Sequence, residues 1–196
     1  VIQITSRDQE AANYGPSIRK KFTLQDMYDV EPLTDNQAKA MNEWTDESDK
    51  GMLLEGCPGT GKTWLAIYMA MQAILDPDTP YRKLVIVRST VQSRDMGFLK
   101  GTEEEKIAVF KKPYVEIFDE LFKFKNSFAN AEEIGLVEFE STAFLRGCSM
   151  HDCILVFDEI QNATQAEAET VATRLGRNSK LVLSGDTRQS DLSKSL

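Results

Sequence analysis

A chain of 196 residues, 41% of them apolar, can bury the core of one α/β domain and has little room for a second complete one. Its 23 Lys and Arg against 31 Asp and Glu give a net charge of −8, so contact with nucleic acid would have to use a local basic patch. The three cysteines, Cys57, Cys148 and Cys153, are odd in number and lack CxxC pairing, which argues against a disulfide framework or a zinc ribbon and fits a reducing cytoplasm.

The chain begins at Val1 rather than Met and shows no signal peptide, so its termini read as trimmed. Val1 to Ile4 alternates weakly, as a short strand does, and Arg7 to Arg19 reads as loop around Gly15-Pro16. Thr34-Asp35-Asn36-Gln37 opens a helix to about Trp44, with Ala38, Met41 and Trp44 at helical spacing. Two explanations of Gln37 stand side by side. It can close a capping box with Thr34, or its amide can pair with an adenine edge just upstream of a phosphate site.

Met52-Leu53-Leu54 then delivers the chain to Gly56-Cys57-Pro58-Gly59-Thr60-Gly61-Lys62-Thr63, which fits Gly, four residues, Gly-Lys-Thr in full. A strand before and a helix behind are the context in which this spacing binds phosphate. The glycines let backbone amides turn inward, the helix start adds free N–H groups, Lys62 reaches the β and γ phosphates, and the Thr63 hydroxyl ligates magnesium. The following run, Trp64 to Leu75, has only twelve residues and predicts a buried helix rather than a membrane span.

Lys83 to Arg88 reads as a buried parallel strand, with Arg88 at the end where open α/β sheets place ligands, or simply a surface arginine closing the strand. Between 96 and 128 the alternation gives way to a helical insertion. Thr102 with Glu105 predicts a capping box, Pro113 is expected to divide the segment into two helices, and Val115, Phe118 and Phe122, with Ile117 and Leu121, form a core face. Lys100, Lys106, Lys111, Lys112, Lys123 and Lys125 make the segment locally basic. A solvated helix face is the simpler reading, and single-stranded nucleic acid the alternative.

Leu136 to Phe139 predicts a short strand, and Cys153 to Phe157 a continuous apolar one ending in Asp158-Glu159. Behind a phosphate loop that pair takes the Walker B position: Asp158 supports magnesium and Glu159 is the candidate general base. Thr164 with Glu167 caps a helix expected to stop at Gly176, where Arg174 and Arg177 complement its dipole. Lys180 to Ser184 is a last buried strand, ending in Gly185-Asp186-Thr187-Arg188-Gln189. The three polar strand ends are expected side by side on one edge of a parallel sheet.

Gly56 to Thr63, the Arg88 strand end, Gly97 to Gly101, Phe144 to Gly147, Asp158 to Thr164, Thr173 to Gly176 and Gly185 to Leu192 stand in the order seen in PhoH-like proteins. From about Leu33 to Leu192 the chain resembles a PhoH-family ATPase, and its brevity and divergent start resemble a phage-encoded one. The resemblance implies a three-layer α/β sandwich with a mainly parallel sheet, similar to the first RecA-like domain of superfamily-one helicases. It places an N-terminal extension at 1–32 and the ATPase domain at 33–196. It also implies ATP and Mg2+ as ligands, Gln37 at the adenine and Gln189 as the γ-phosphate sensor.

Because the chain has no room for the second RecA-like domain of such helicases, the resemblance implies a hexameric ring in which Arg174, or else Arg146, completes a neighbour's site. The implied function is ATP hydrolysis coupled to binding or unwinding RNA or single-stranded DNA in the cytoplasm, that of the host for a phage protein. Lys100-Gly101 and Ile160 depart from the family's usual Pro-Gly and alanine. The alternative is a nucleotide-switched assembly or regulatory protein with slow turnover. A thymidine-kinase-type enzyme would need CxxC pairs that are absent, and a nuclease would need a further acidic cluster.

Overall fold

The apolar runs become the strands of one parallel sheet. The computed structural model describes residues 3–5, 22–45, 51–89, 103–142, 145, 149–186 and 188, with 3–5 and 103–106 as backbone. Strand β1 (Gln3–Thr5) pairs antiparallel with β2 (Asp29–Glu31), and α1 (Asp35–Trp44) follows. Then come β3 (Gly51–Glu55), α2 (Lys62–Leu75), β4 (Lys83–Arg88), α3 (Glu103–Leu121), α4 (Ser127–Glu133), β5 (Val137–Ser141), β6 (Cys153–Asp158), α5 (Gln165–Arg174) and β7 (Lys180–Gly185). The five strands from β3 to β7 lie in the order β3-β7-β6-β4-β5, every pair parallel.

Strand periodicity sorts the side chains onto two faces. Leu84, Ile86, Ile154, Val156 and Val182 join the core beneath α2, α3 and α4, while Val85, Val87, Leu155 and Phe157 pack with Val171 of α5 on the other side. Helices on both faces make the central strands apolar throughout, which is why β6 is buried at all six positions. Helix α2 buries nine of its fourteen residues, each large side chain contributing about 1.5–3 kcal/mol over exposure. Ala66 and Ala70, both fully buried, let the helix lie close against the sheet. No helix among the described residues is long and apolar enough to cross a membrane.

The segment before α1 is tied to the main body. Phe22, Met27 and Val30 belong to the same core as α2, Phe22 meets Phe122 edge to face at 5.1 Å, and the Tyr28 amide donates to the Leu121 carbonyl at 2.9 Å.

One local expectation is corrected and another gains a different physical reason. Pro113 does not divide the helical segment, since α3 runs continuously through it. The proline is exposed, and the carbonyl it leaves without an intrahelical donor belongs to Val109, itself 51% exposed. That carbonyl lies on the exposed side of the helix, while Tyr114, Phe118 and Leu121 hold the opposite face in the core. The second helix does stop where Gly176 is expected to end it, α5 closing at Arg174 with Leu175 extended, but Gly176 itself is not left-handed. Glycine is needed there because a Cβ would overlap the His151 ring.

Candidate active site

The sequence logic of the phosphate loop is met in three dimensions. Gly59 (φ 75°) and Gly61 (φ 82°) are left-handed, a conformation that a Cβ would strain. Gly61 ends the loop, and α2 opens at Lys62 with no side chain capping its first turn, so that turn's amides face the cavity. Gly56, Cys57, Pro58, Gly59, Thr60 and Gly61 thus form a backbone cradle, closed by the Thr60 hydroxyl donating to the Cys57 carbonyl at 2.8 Å. Lys62 lies along this cradle, its Nζ 2.6 Å from the Gly56 carbonyl and 2.9 Å from that of Cys57. Cys57 and Cys153 carry free thiols, Cys57 exposed and Cys153 buried.

The three expected strand ends do meet. The Gly56 amide reaches the Gly185 carbonyl at 3.3 Å, joining the ends of β3 and β7, and β7 in turn neighbours β6. At the end of β6, Asp158 is 4% exposed; its Oδ1 accepts from the Thr63 hydroxyl at 2.8 Å and its Oδ2 from the Tyr114 hydroxyl at 3.0 Å. Burial, then the adjacent Asp158 carboxylate, push the Tyr114 phenol well above its usual range, so it stays a donor. Glu159 follows in a left-handed conformation (φ 53°), uncommon for a non-glycine and typical of functional turns. Its Oε2 accepts from Gln161 Nε2 at 2.5 Å, and Gln161 Oε1 accepts the Asp186 amide at 3.1 Å, so one glutamine spans the ends of β6 and β7. Gly185 makes room for this, since a Cβ there would stand 2.6 Å from Gln161 Oε1.

These groups enclose a cavity of about 300 Å3 lined by Pro58, Gly59, Gly61, Lys62, Thr63, Trp64, Ile117, Asp158, Glu159, Gln161, Ser184, Gly185 and Asp186. Asp158, Glu159 and Asp186 gather negative charge around one lysine, a setting that calls for a divalent cation alongside phosphates. The residues fit magnesium. A hydroxyl and a carboxylate meet on the floor, and the fully buried Ser184 Oγ has no partner among the described residues. Mg2+ characteristically takes one or two carboxylates, with waters and phosphate oxygens supplying the rest.

Other expected residues fall elsewhere. Thr34 caps α1 by accepting the Gln37 amide at 3.2 Å, but Gln37 Oε1 accepts from the Leu33 amide at 2.8 Å, so the return bond of a capping box goes one residue upstream. Gln37 Nε2 donates to the Thr60 carbonyl at 3.2 Å. Both ends of its amide therefore tie the turn before α1 to the phosphate loop. Arg88 is half-buried at the end of β4, its guanidinium 5.5 Å from the Phe110 ring centroid. Arg174 ends α5, about 15 Å from that helix's start at 1.5 Å per residue, and its carbonyl accepts the Met150 amide at 2.8 Å just ahead of β6. That is the edge of the sheet opposite the phosphate loop, so Arg174 does not reach this chain's own cavity. Gln189, Arg146, Thr102 and the Gly97 to Gly101 stretch lie outside the described residues.

Tyr114, Gln161 and Ser184 are the contributors to which sequence reading gave no task. Gln161 alone carried a signal, two residues beyond Asp158-Glu159 and close enough to turn back on it. The Thr164 and Glu167 capping box is present, and Glu167 also accepts from Ser89 and Thr142, at the ends of β4 and β5.

The family model described as PhoH-like protein matches residues 29–196. The chain is 33% identical to Protein PhoH2 of Bacillus subtilis over 177 residues, covering 88% of this chain and 40% of that protein. It is 35% identical to a PhoH-like protein of Synechocystis sp. over 140 residues, 70% of this chain and 41% of that one. With Protein PhoH of Escherichia coli K12 it shares 31% over 172 residues, 85% and 48% of the two chains. The chain thus spans less than half the length of these curated relatives. With a parallel RecA-like sheet, a glycine cradle at the head of α2 and acids closing β6, the chain belongs to the PhoH-like family of P-loop NTPases.

Proposed function

We propose that this protein hydrolyses ATP with magnesium and couples the cycle to RNA or single-stranded DNA, acting in the cytoplasm as one subunit of a ring. The observation that carries the reading is the contact of the Thr63 hydroxyl with Asp158 beneath the uncapped start of α2, with Glu159 next along the chain. In this reading residues 33–196 form the ATPase domain and 1–32 an extension packed on it through Phe22, Met27 and Val30.

Each group then has a task. The cradle amides and Lys62 Nζ bind the phosphates, Lys62 exchanging the Gly56 and Cys57 carbonyls for phosphate oxygens. Thr63 and Asp158 hold the magnesium, which when bound neutralises phosphate charge. Glu159 takes a proton from the attacking water at its carboxylate, and Gln161 orients it and links it to the Asp186 amide. Gln189 reports the state of the γ phosphate. Gln37 reads adenine by exchanging its Leu33 and Thr60 contacts, so nucleotide recognition and loop position are coupled. Arg174, or Arg146, acts on a neighbouring subunit's phosphates.

The test is the steady-state ATPase rate with and without single-stranded RNA and DNA oligonucleotides. Stimulation by either polymer is expected. A measurable rate indifferent to both would instead favour a nucleotide-switched assembly.

A further inference from the structure

Asp158 and Arg88 are register partners on neighbouring strands, at the last positions of β6 and β4. Their side chains point to the same face of the sheet, the Asp158 carboxylate lining the nucleotide cavity and the Arg88 guanidinium beside it on the adjoining strand. Between them stands the Tyr114 hydroxyl, which donates to Asp158 Oδ2 at 3.0 Å and also interacts with Arg88. Tyr114 is completely buried. A phenylalanine would fill the same space without bringing a hydroxyl out of water, so the hydroxyl is accounted for by what it holds.

We propose that Tyr114 is a positioning residue for the magnesium carboxylate: it keeps Asp158 turned toward Thr63 and prevents it from swinging onto Arg88. This deepens the reading of the site as an Mg–ATP site and rests on it. The arrangement follows from charge and reach. Without the phenol, Asp158 has an uncovered Oδ2 and an arginine on the adjoining strand, and pairing the two would draw Oδ1 away from the Thr63 hydroxyl that now bonds it at 2.8 Å. Arg88 is itself held over Phe110, one turn before Tyr114 on α3, at 5.5 Å. Further along α3, Ile117 lines the cavity and Glu120 accepts from Trp64 Nε1 of α2 at 2.9 Å. Spaced three apart, Tyr114, Ile117 and Glu120 share one face of α3, which reaches the cavity lining at Ile117.

The experiment is binding of a fluorescent ATP analogue to the full chain, titrated with magnesium and repeated in EDTA, for wild type, Tyr114→Phe and Tyr114→Phe with Arg88→Gln. Removing an outer partner of a metal ligand typically costs 10–100-fold in metal affinity. Tyr114→Phe should therefore raise the half-saturating magnesium concentration about tenfold or more while leaving affinity in EDTA within about twofold of wild type. Adding Arg88→Gln should recover most of that loss, because the competing cation is gone. A half-saturating magnesium concentration unchanged in Tyr114→Phe overturns the proposal. So does an equal loss with and without magnesium, which marks a packing role.

Should Tyr114→Phe not fold, Arg88→Gln alone serves: magnesium affinity equal to or tighter than wild type supports the proposal, and a weakening overturns it. Wild-type binding that ignores magnesium overturns the Mg–ATP reading and the proposal together. A normal magnesium response in wild type beside an unaltered Tyr114→Phe overturns the proposal alone.

Discussion

Lys62 is the one cation lining the nucleotide cavity among the described residues, against Asp158, Glu159 and Asp186. Its Nζ already rests on two carbonyls of the loop that would hold the phosphates. Lys62→Ala should therefore abolish hydrolysis and weaken ATP binding at least tenfold, measured by titration with a fluorescent analogue; near-normal affinity would mean that the phosphates lie elsewhere. Residues of this kind were legible in the sequence because phosphate binding needs them at fixed local spacing. Tyr114 was not, because its partner Asp158 is 44 residues away and nothing at either position specifies the other. Ser184 was hidden for a similar reason, as a hydroxyl closing a buried strand reads like any strand end. Gln37 kept two explanations because a cap and a base reader ask for the same side chain. The structure shows a third arrangement, with one amide end on the turn before α1 and the other on the phosphate loop.

At the scale of elements, Glu167 joins three of them. From the first turn of α5 it caps that helix with Thr164 and accepts from Ser89 and Thr142, at the ends of β4 and β5. Burial raises its pKa, but bonds from the Thr142 hydroxyl, the Thr164 amide and hydroxyl and the Ser89 hydroxyl outweigh it, leaving the carboxyl below its ordinary value of 4.5. A carboxyl with a lowered folded pKa adds stability above its unfolded pKa and loses it as pH falls through the folded one. Wild type should thus melt above Glu167→Gln at neutral pH, with the gap closing as pH drops below 4.5; a constant gap would show that charge plays no part. Gly176→Ala, by overlapping His151, should cost about 1–3 kcal/mol, read as a lowered Tm that His151→Ala partly restores. The strands and α2 were legible from apolar runs and flanking glycines. Pro113 misled because a proline is judged by which way its orphaned carbonyl points, and exposure to water is a property of the packed helix.

For the whole molecule, the parallel sheet sets the phosphate loop, the β6 acids and the end of β7 along one edge and leaves Arg174 on the other. Sequence order alone could not tell the two ends of α5 apart in function; topology does. If a ring completes the site, mixing Arg174→Ala subunits with wild type should lower ATPase activity more than dilution explains, whereas strictly proportional loss would remove Arg174 from catalysis. The measurement that tests the central claim most directly is ATP hydrolysis with magnesium by wild type and Glu159→Gln, alongside nucleotide affinity, with Lys62→Ala as the blank. Affinity should be retained while the rate falls by about two orders of magnitude or more, the scale of a general base. Turnover by Glu159→Gln equal to wild type would contradict the account, because the carboxylate closing β6 would then take no part in the chemistry.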